Sequence, residues 1–161
     1  MATKRGYKFR GPRQIRRICW GGQGGWPIQG GLNAKIHAIV DGLGNPVEFL
    51  LSSGKDHDAL HAIALLSKAN LSQSNVLGDK AYGAKRIRDY ITAQGGQYTI
   101  PPTSNVSEPW AYDEELYKKR HLVECFFQKI KWFRRVATRY DKSDDSFLAF
   151  VHLAAISILL D

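Results

Sequence analysis

From Leu32 to Val40, Ala34, Ile36, Ala38 and Val40 alternate with Lys35, His37 and Ile39. That two-residue period predicts a half-buried strand. Asp41-Gly42-Leu43-Gly44-Asn45-Pro46 supplies turn residues, and Val47–Leu51 forms a second apolar run, so the pair reads as a hairpin. A helix is predicted from an Asp58 cap to about Ala69, with Leu60, Ile63, Ala64 and Leu65 inward. Asn75-Val76-Leu77-Gly78 is apolar enough for a strand inside a sheet. A helix over 84–93, closed by Gly95-Gly96, and a short strand over 98–100, ended by Pro101-Pro102, follow it. After a loop over 103–110, Asp113 caps a long helix predicted to reach Val136, and a last helix covers 144–160. A hairpin, then alternating helix and strand, then long helices predict a layered α/β or α+β fold.

The first 31 residues lack this patterning. Lys4, Arg5, Lys8, Arg10, Arg13, Arg16 and Arg17 lead into Gly21-Gly22-Gln23-Gly24-Gly25, and no acidic residue occurs before Asp41. Like charges repel and glycine raises the entropic cost of ordering, so 1–31 reads as a basic, mostly irregular segment ahead of a domain over 32–161. Over the whole chain of 161 residues, Lys and Arg number 23 against 15 Asp and Glu, a net charge of +8. That excess favours polyanions, nucleic acid first among them. Cys19 and Cys125 form neither a metal-ligand pair nor a disulfide framework, which suits a reducing cytoplasm. The apolar run from Phe147 to Leu160 is broken by His152 and Ser157. It falls short of the roughly 18 residues a membrane span needs.

On a helical wheel of about 100° per residue, Arg120, Glu124, Gln128, Lys131 and Arg135 fall within about 60° of Tyr117. Leu122, Val123, Phe126, Phe127, Ile130 and Phe133 take the opposite side, which must face the core. One carboxylate is thus set among cations on an outward stripe. Asp79 follows the 75–78 strand, and strand ends are where open α/β sheets form sites. Asp79 and Glu124 together are candidate oxygen ligands for a hard cation such as Mg²⁺. The alternative roles are a solvated stripe for the helix and an N-cap for Asp79.

The Tyr117, Arg120, Glu124 and Lys131 spacing, Y-x2-R-x3-E-x6-K, resembles that of bacterial insertion-sequence transposases with a DDE active site. Similar blocks are 30–37, 54–58, 78–82, 100–102, 134–140 and 147–152, so the resemblance spans about residues 30–160. It implies an RNase H-like fold, a mixed sheet with flanking helices. Asp79 and Glu124 become the second and third catalytic acids, joined by two Mg²⁺ ions, with Mn²⁺ as a substitute. The activity implied is DNA binding, cleavage and strand transfer in a bacterial, nucleoid-associated setting. Terminal-repeat and target DNA are the expected partners, with a homo-oligomer as the active complex and no membrane. Arg120 and Lys131 would hold phosphate, Tyr117 would meet a base or phosphate, and Arg134 and Arg135 would add to the DNA surface.

The chain departs from the family at the first acid, which belongs on a strand ahead of Leu32. That strand is expected to be missing, its Asp supplied by an upstream-frame polypeptide or lost in a decayed fragment. A missing strand would also leave an open edge for self-association. Asp41, in a hairpin turn, is not a substitute. Rival readings are a remnant that only binds DNA and, more distantly, a metal nuclease of DNA repair. Among lesser candidates, His57-Asp58 reads as a loop closure before acid–base chemistry and His121 as a surface residue. Cys125 reads as packing, Trp110 as an anchor or a base-stacking group, and Trp132-Phe133-Arg134-Arg135 as a nucleic-acid surface.

Overall fold

Strand β4, Ser74–Leu77, is buried at every residue, as a strand covered on both faces must be. The computed structural model describes residues 16–27, 33–141 and 143–160. Among them, β4 lies in a five-stranded sheet of order β3-β2-β1-β4-β5. Strand β1 covers Arg16–Pro27, β2 Asn33–Asp41, β3 Pro46–Ser53 and β5 Gln97–Thr99. β1, β2 and β3 pair antiparallel, whereas β1, β4 and β5 run parallel. The β2–β3 turn is tied by Asp41, whose carboxylate accepts from the backbone N–H of Leu43 at 2.8 Å and of Asn45 at 3.0 Å. Gly44 supplies the positive φ, +91°, that this turn needs.

β1 corrects two expectations. Residues 16–27 are a strand, so the irregular reading of 1–31 fails there; residues 1–15 and 28–32 lie outside the described residues. The strand expected to be missing is also present, between β2 and β4. Glycine-rich sequence makes a poor isolated strand, but β1 has neighbours on both sides, and pairing outweighs local propensity. The edge strands among the described residues are therefore β3 and β5, not an exposed gap beside β2.

The alternation along β2 sorts two cores. Ile36, Ala38 and Val40 join Leu77 beneath α4, His121–Ile130, and α6, Asp144–Leu160, meeting Val123, Phe126, Phe127, Ile130, Phe147 and Val151. On the other face, Ile39 and Val76 meet α1, Asp58–Leu66, and α2, Lys85–Ala93, through Ala62, Leu65, Ile87 and Ile91. Full burial of one such Ile or Phe is worth about 1.5–3 kcal/mol, which is what pins each helix to its face.

Two helices differ from their predictions. α1 starts at Asp58 with His57 in the cap position, and it turns Ala62, Leu65 and Leu66 inward; at about 100° per residue Leu60 falls on the opposite side and is 58% exposed. The single helix expected over 113–136 is instead α3, Glu114–Tyr117, a 3-10 turn over Lys118–Arg120, then α4, then α5, Arg134–Ala137. On a straight continuation Val136 would fall on the side of exposed Cys125 and Lys129. Extended backbone at Phe133 breaks the helix and buries Val136 in the core shared with α6.

Candidate DNA site around Arg120

Asp79 leaves the sheet directly after β4. Leu77 faces the α4 core, so the period of two directs Asp79 toward the same side. Its Oδ1 accepts from the Lys80 N–H at 2.6 Å, capping the 3-10 turn Lys80–Tyr82. The capping role is therefore real, and it engages one of two carboxylate oxygens.

Arg120, on the helical segment opposite, lies in the electrostatic field of Asp79. Its Nη2 donates to Glu124 Oε1 at 2.5 Å, and its guanidinium lies 5.7 Å from the Tyr117 ring centre. Partial burial works against the Arg120 charge, but Tyr117, Glu124 and Asp79 outweigh it and raise its pKa above the ordinary value. Tyr117 is likewise raised, chiefly by burial; Arg120 opposes the rise and Asp79 adds to it. Asp79, Tyr117, Arg120 and Glu124 thus form one electrostatic unit at the C-terminal end of β4. The Arg120–Glu124 pair is an i,i+4 contact with the Glu124 side chain 51% exposed. Such pairs are worth about 0.3–0.5 kcal/mol, so a phosphate or a cation can readily open it.

Lys131 stands two turns beyond Glu124 on the exposed side, at the C-cap of α4. Arg134 and Arg135 do not extend that stripe, because the helix breaks before them. Arg134 is exposed on α5, and Arg135 lies 4.5 Å from the Phe150 ring centre and 4.0 Å from Asp141. His121 is exposed and folds back on its own turn, Nδ1 to the Lys118 carbonyl at 2.7 Å. Cys125 is exposed, a correction to its packing role: it follows Glu124 on the outer side of α4.

One supporting contact escaped the sequence. The guanidinium of Arg88 in α2 stacks 3.7 Å over Trp110, whose Nε1 donates to the Ile100 carbonyl at 2.8 Å. Trp110 is thereby an anchor of the loop between β5 and α3. Beyond it Tyr112 meets Tyr117 edge-on at 5.7 Å, and Asp113 caps α3 through the Leu116 N–H at 2.9 Å. The only hint in the sequence was a tryptophan in a polar loop.

A second polar cluster lies on the α1 face. Lys35 donates to the Asp56 carbonyl at 2.7 Å and to Asp58 at 3.0 Å, and His61 meets Asp56 at 2.9 Å. His37 Nε2 meets Ser52 Oγ at 2.8 Å, and burial pushes the His37 pKa down to about 4. Asp58 is committed to Lys35, while His57 is exposed and makes no side-chain cap bond, so the pair closes a loop.

Continuing the β1–β4 register two residues past Cys19–Leu77 brings Gly21 beside Asp79. A Cβ at Gly21 would lie 3.2 Å from Val123 Cγ1, the residue before Glu124, so β1 runs directly under this helix. It brings no acid, since none precedes Asp41, and Asp41 is consumed by its turn. Among the described residues no group of three His, Cys, Asp or Glu is placed to hold a metal ion. Two carboxylates beside an arginine do not by themselves fit a two-metal centre.

The family profile described as a transposase DDE domain matches residues 17–160. The chain belongs to the DDE transposases of insertion sequences. It is 38% identical over 132 residues to an inferred transposase for insertion sequence element IS6501 of Brucella ovis, covering 80% of this chain and 99% of that protein. A chain of the simian T-cell lymphotropic virus intasome, solved in complex with a PP2A regulatory subunit, shares the fold. The TM-score is 0.59 at 15% identity over 98% of this chain, which spans about half, 52%, of that one. The transposase fold is thus RNase H-like, with the β1 position filled. Transposases of this family use divalent metal ions. No helix among the described residues of this transposase is long and apolar enough to cross a membrane.

Proposed function

We propose that this transposase chain carries the DNA-binding helix and two of the three acids of a strand-transfer centre. The observation that supports the reading is Arg120, bonded to Glu124 and within electrostatic reach of both Asp79 and Tyr117. Arg120 offers a planar fork to a phosphate beside the scissile bond, and Lys131 a mobile charge two turns away. Tyr117 backs the guanidinium and limits its motion. Asp79 and Glu124 supply oxygens that Mg²⁺, or Mn²⁺ in its place, would require. In the reaction a water, and later a DNA 3′-hydroxyl, forms a new bond to phosphorus as the bond from phosphorus to the 3′-oxygen of the leaving strand breaks. The proton lost by the attacking hydroxyl ends on that oxygen, which departs as a 3′-hydroxyl.

No acid precedes Asp41 and β1 already fills the place beside β4, so the first acid would have to reach that strand end from a second, upstream-encoded polypeptide without supplying a strand of its own. The active complex contains more than one copy bound to the element's terminal repeats and target DNA. A second reading, a remnant that binds DNA without cutting it, is favoured by the lack of any acid ahead of Asp41. One assay separates the two. Mg²⁺-dependent nicking of duplex bearing the element's end is measured with this chain alone, the upstream polypeptide alone, and both together. Nicking only in the mixture is expected; an inactive mixture that still binds the end supports the remnant. Metal-dependent nicking by this chain alone would contradict the need for an outside acid.

A further inference from the structure

We infer that Trp132 is a stacking platform for an unpaired DNA base, an inference that rests on the DNA site proposed above. Trp132 occupies the turn between α4 and α5 and is 84% exposed, an unusual state for the largest apolar side chain in a folded domain. It walls a groove of about 310 Å³ with Lys129, Phe133 and Ile158. An adjoining groove of about 320 Å³ shares Phe133 and adds Arg134, Arg135 and Phe150. Among the described residues no carboxylate lines either groove, and Arg135 already lies across the Phe150 ring. Aromatic faces interleaved with cations match a nucleotide, whose base is flat and apolar and whose phosphate is anionic.

Charge and geometry select the form of DNA. The cationic rim favours a polyanion over an apolar protein surface. Paired bases in a duplex hide their faces, so an exposed indole gains nothing from them, whereas an unpaired base presents a whole face. Trp132 lies eight residues beyond Glu124, in the turn just past the end of α4, about 12 Å along the direction of the helix axis. At 3.4 Å per step of one strand, that is about three to four nucleotides from the acids. Stacking there would hold a strand end open beside the site.

Anisotropy titrations of the whole chain against oligothymidylate, blunt duplex and duplex with a single-stranded tail test this, with Trp132→Ala and Trp132→Phe as variants. Circular dichroism and sedimentation velocity accompany each protein. Trp132→Ala is expected to lose about tenfold in affinity for oligothymidylate and the tailed duplex, with blunt duplex held within about twofold and Trp132→Phe retaining most binding. An equal loss on all three probes, or no loss, overturns the inference. So does conversion of an oligomer to monomer by Trp132→Ala with DNA affinity unchanged, which would assign the surface to a second copy through exposed Leu153, Ile156 and Leu160. A wild-type chain that binds tailed and blunt duplex equally removes the base platform but leaves the DNA site. One that binds no probe removes both.

Discussion

Two places in this transposase gather a pair of acids around a cation, on opposite faces of one sheet. On the α1 face, Asp56 and Asp58 meet Lys35 and His61, with His37 and Ser52 alongside. On the α4 face, Arg120 is bonded to Glu124 and lies in the electrostatic field of Asp79. The first cluster is richer in hydrogen bonds and looks more like chemistry in a contact diagram. Most of its groups are spent on one another, joining the loop before α1 to β2 and β3, while burial holds His37 neutral and leaves its Nδ1 without a partner. The second is sparse and open: one oxygen of Asp79 caps a turn, and the Arg120–Glu124 pair is half in water. Closed networks stabilise, whereas weakly satisfied groups at a strand end remain available to a ligand.

The widest separation between the clusters should appear in catalysis. In a complex competent for nicking, Asp79→Asn or Glu124→Gln should lower cleavage by about a thousandfold or more while leaving end binding nearly intact. Asp56→Asn and Asp58→Asn should change the rate by only about a fewfold. Equal cleavage by Glu124→Gln removes Glu124 from the mechanism.

The α1 cluster should instead announce itself in stability. Folded, His37 takes its proton only near pH 4; unfolded, near its ordinary 6.5. The stabilisation is whole above 6.5 and is lost as pH falls toward 4, by up to about 3 kcal/mol. Urea unfolding at stepped pH should show that loss in the native sequence, and a His37→Gln chain should have a flatter profile across the same window.

Smaller effects sharpen the contrast. Arg120→Leu should weaken end-DNA binding by about tenfold and reduce the salt slope by about one, with little change in melting. Arg120→Lys should restore the slope better than the affinity, because a point charge lacks the planar fork. Lys35→Met should do the reverse, costing about 1 kcal/mol of stability and leaving DNA affinity alone.

What was legible in the sequence follows from how local the signal is. β2, the Asp41 turn and β3 were readable because their periodicity and turn chemistry act within a few residues, and α6 because its apolar run is long. The four residues Tyr117, Arg120, Glu124 and Lys131 were readable as a spacing, and Asp79 as an acid ending an apolar run. β1 was hidden because its glycines oppose a strand locally and only the flanking β2 and β4 make it one. The break after Ile130 was hidden because the need to bury Val136 against α6 is a tertiary demand. The α1 cluster was hidden for the same reason, since Lys35, Ser52, Asp56 and His61 meet only once the hairpin and helix are packed.

The relation of the two acids is open to direct measurement. Spin labels can be placed on cysteines introduced at positions 79 and 124, and separately at 58 and 124, in a chain with Cys19 and Cys125 replaced by serine. Dipolar spectra should give the shorter distance for the 79–124 pair, on one side of the sheet, and the longer for 58–124, across it. A 79–124 distance as long as the cross-sheet pair would contradict a shared site around Arg120.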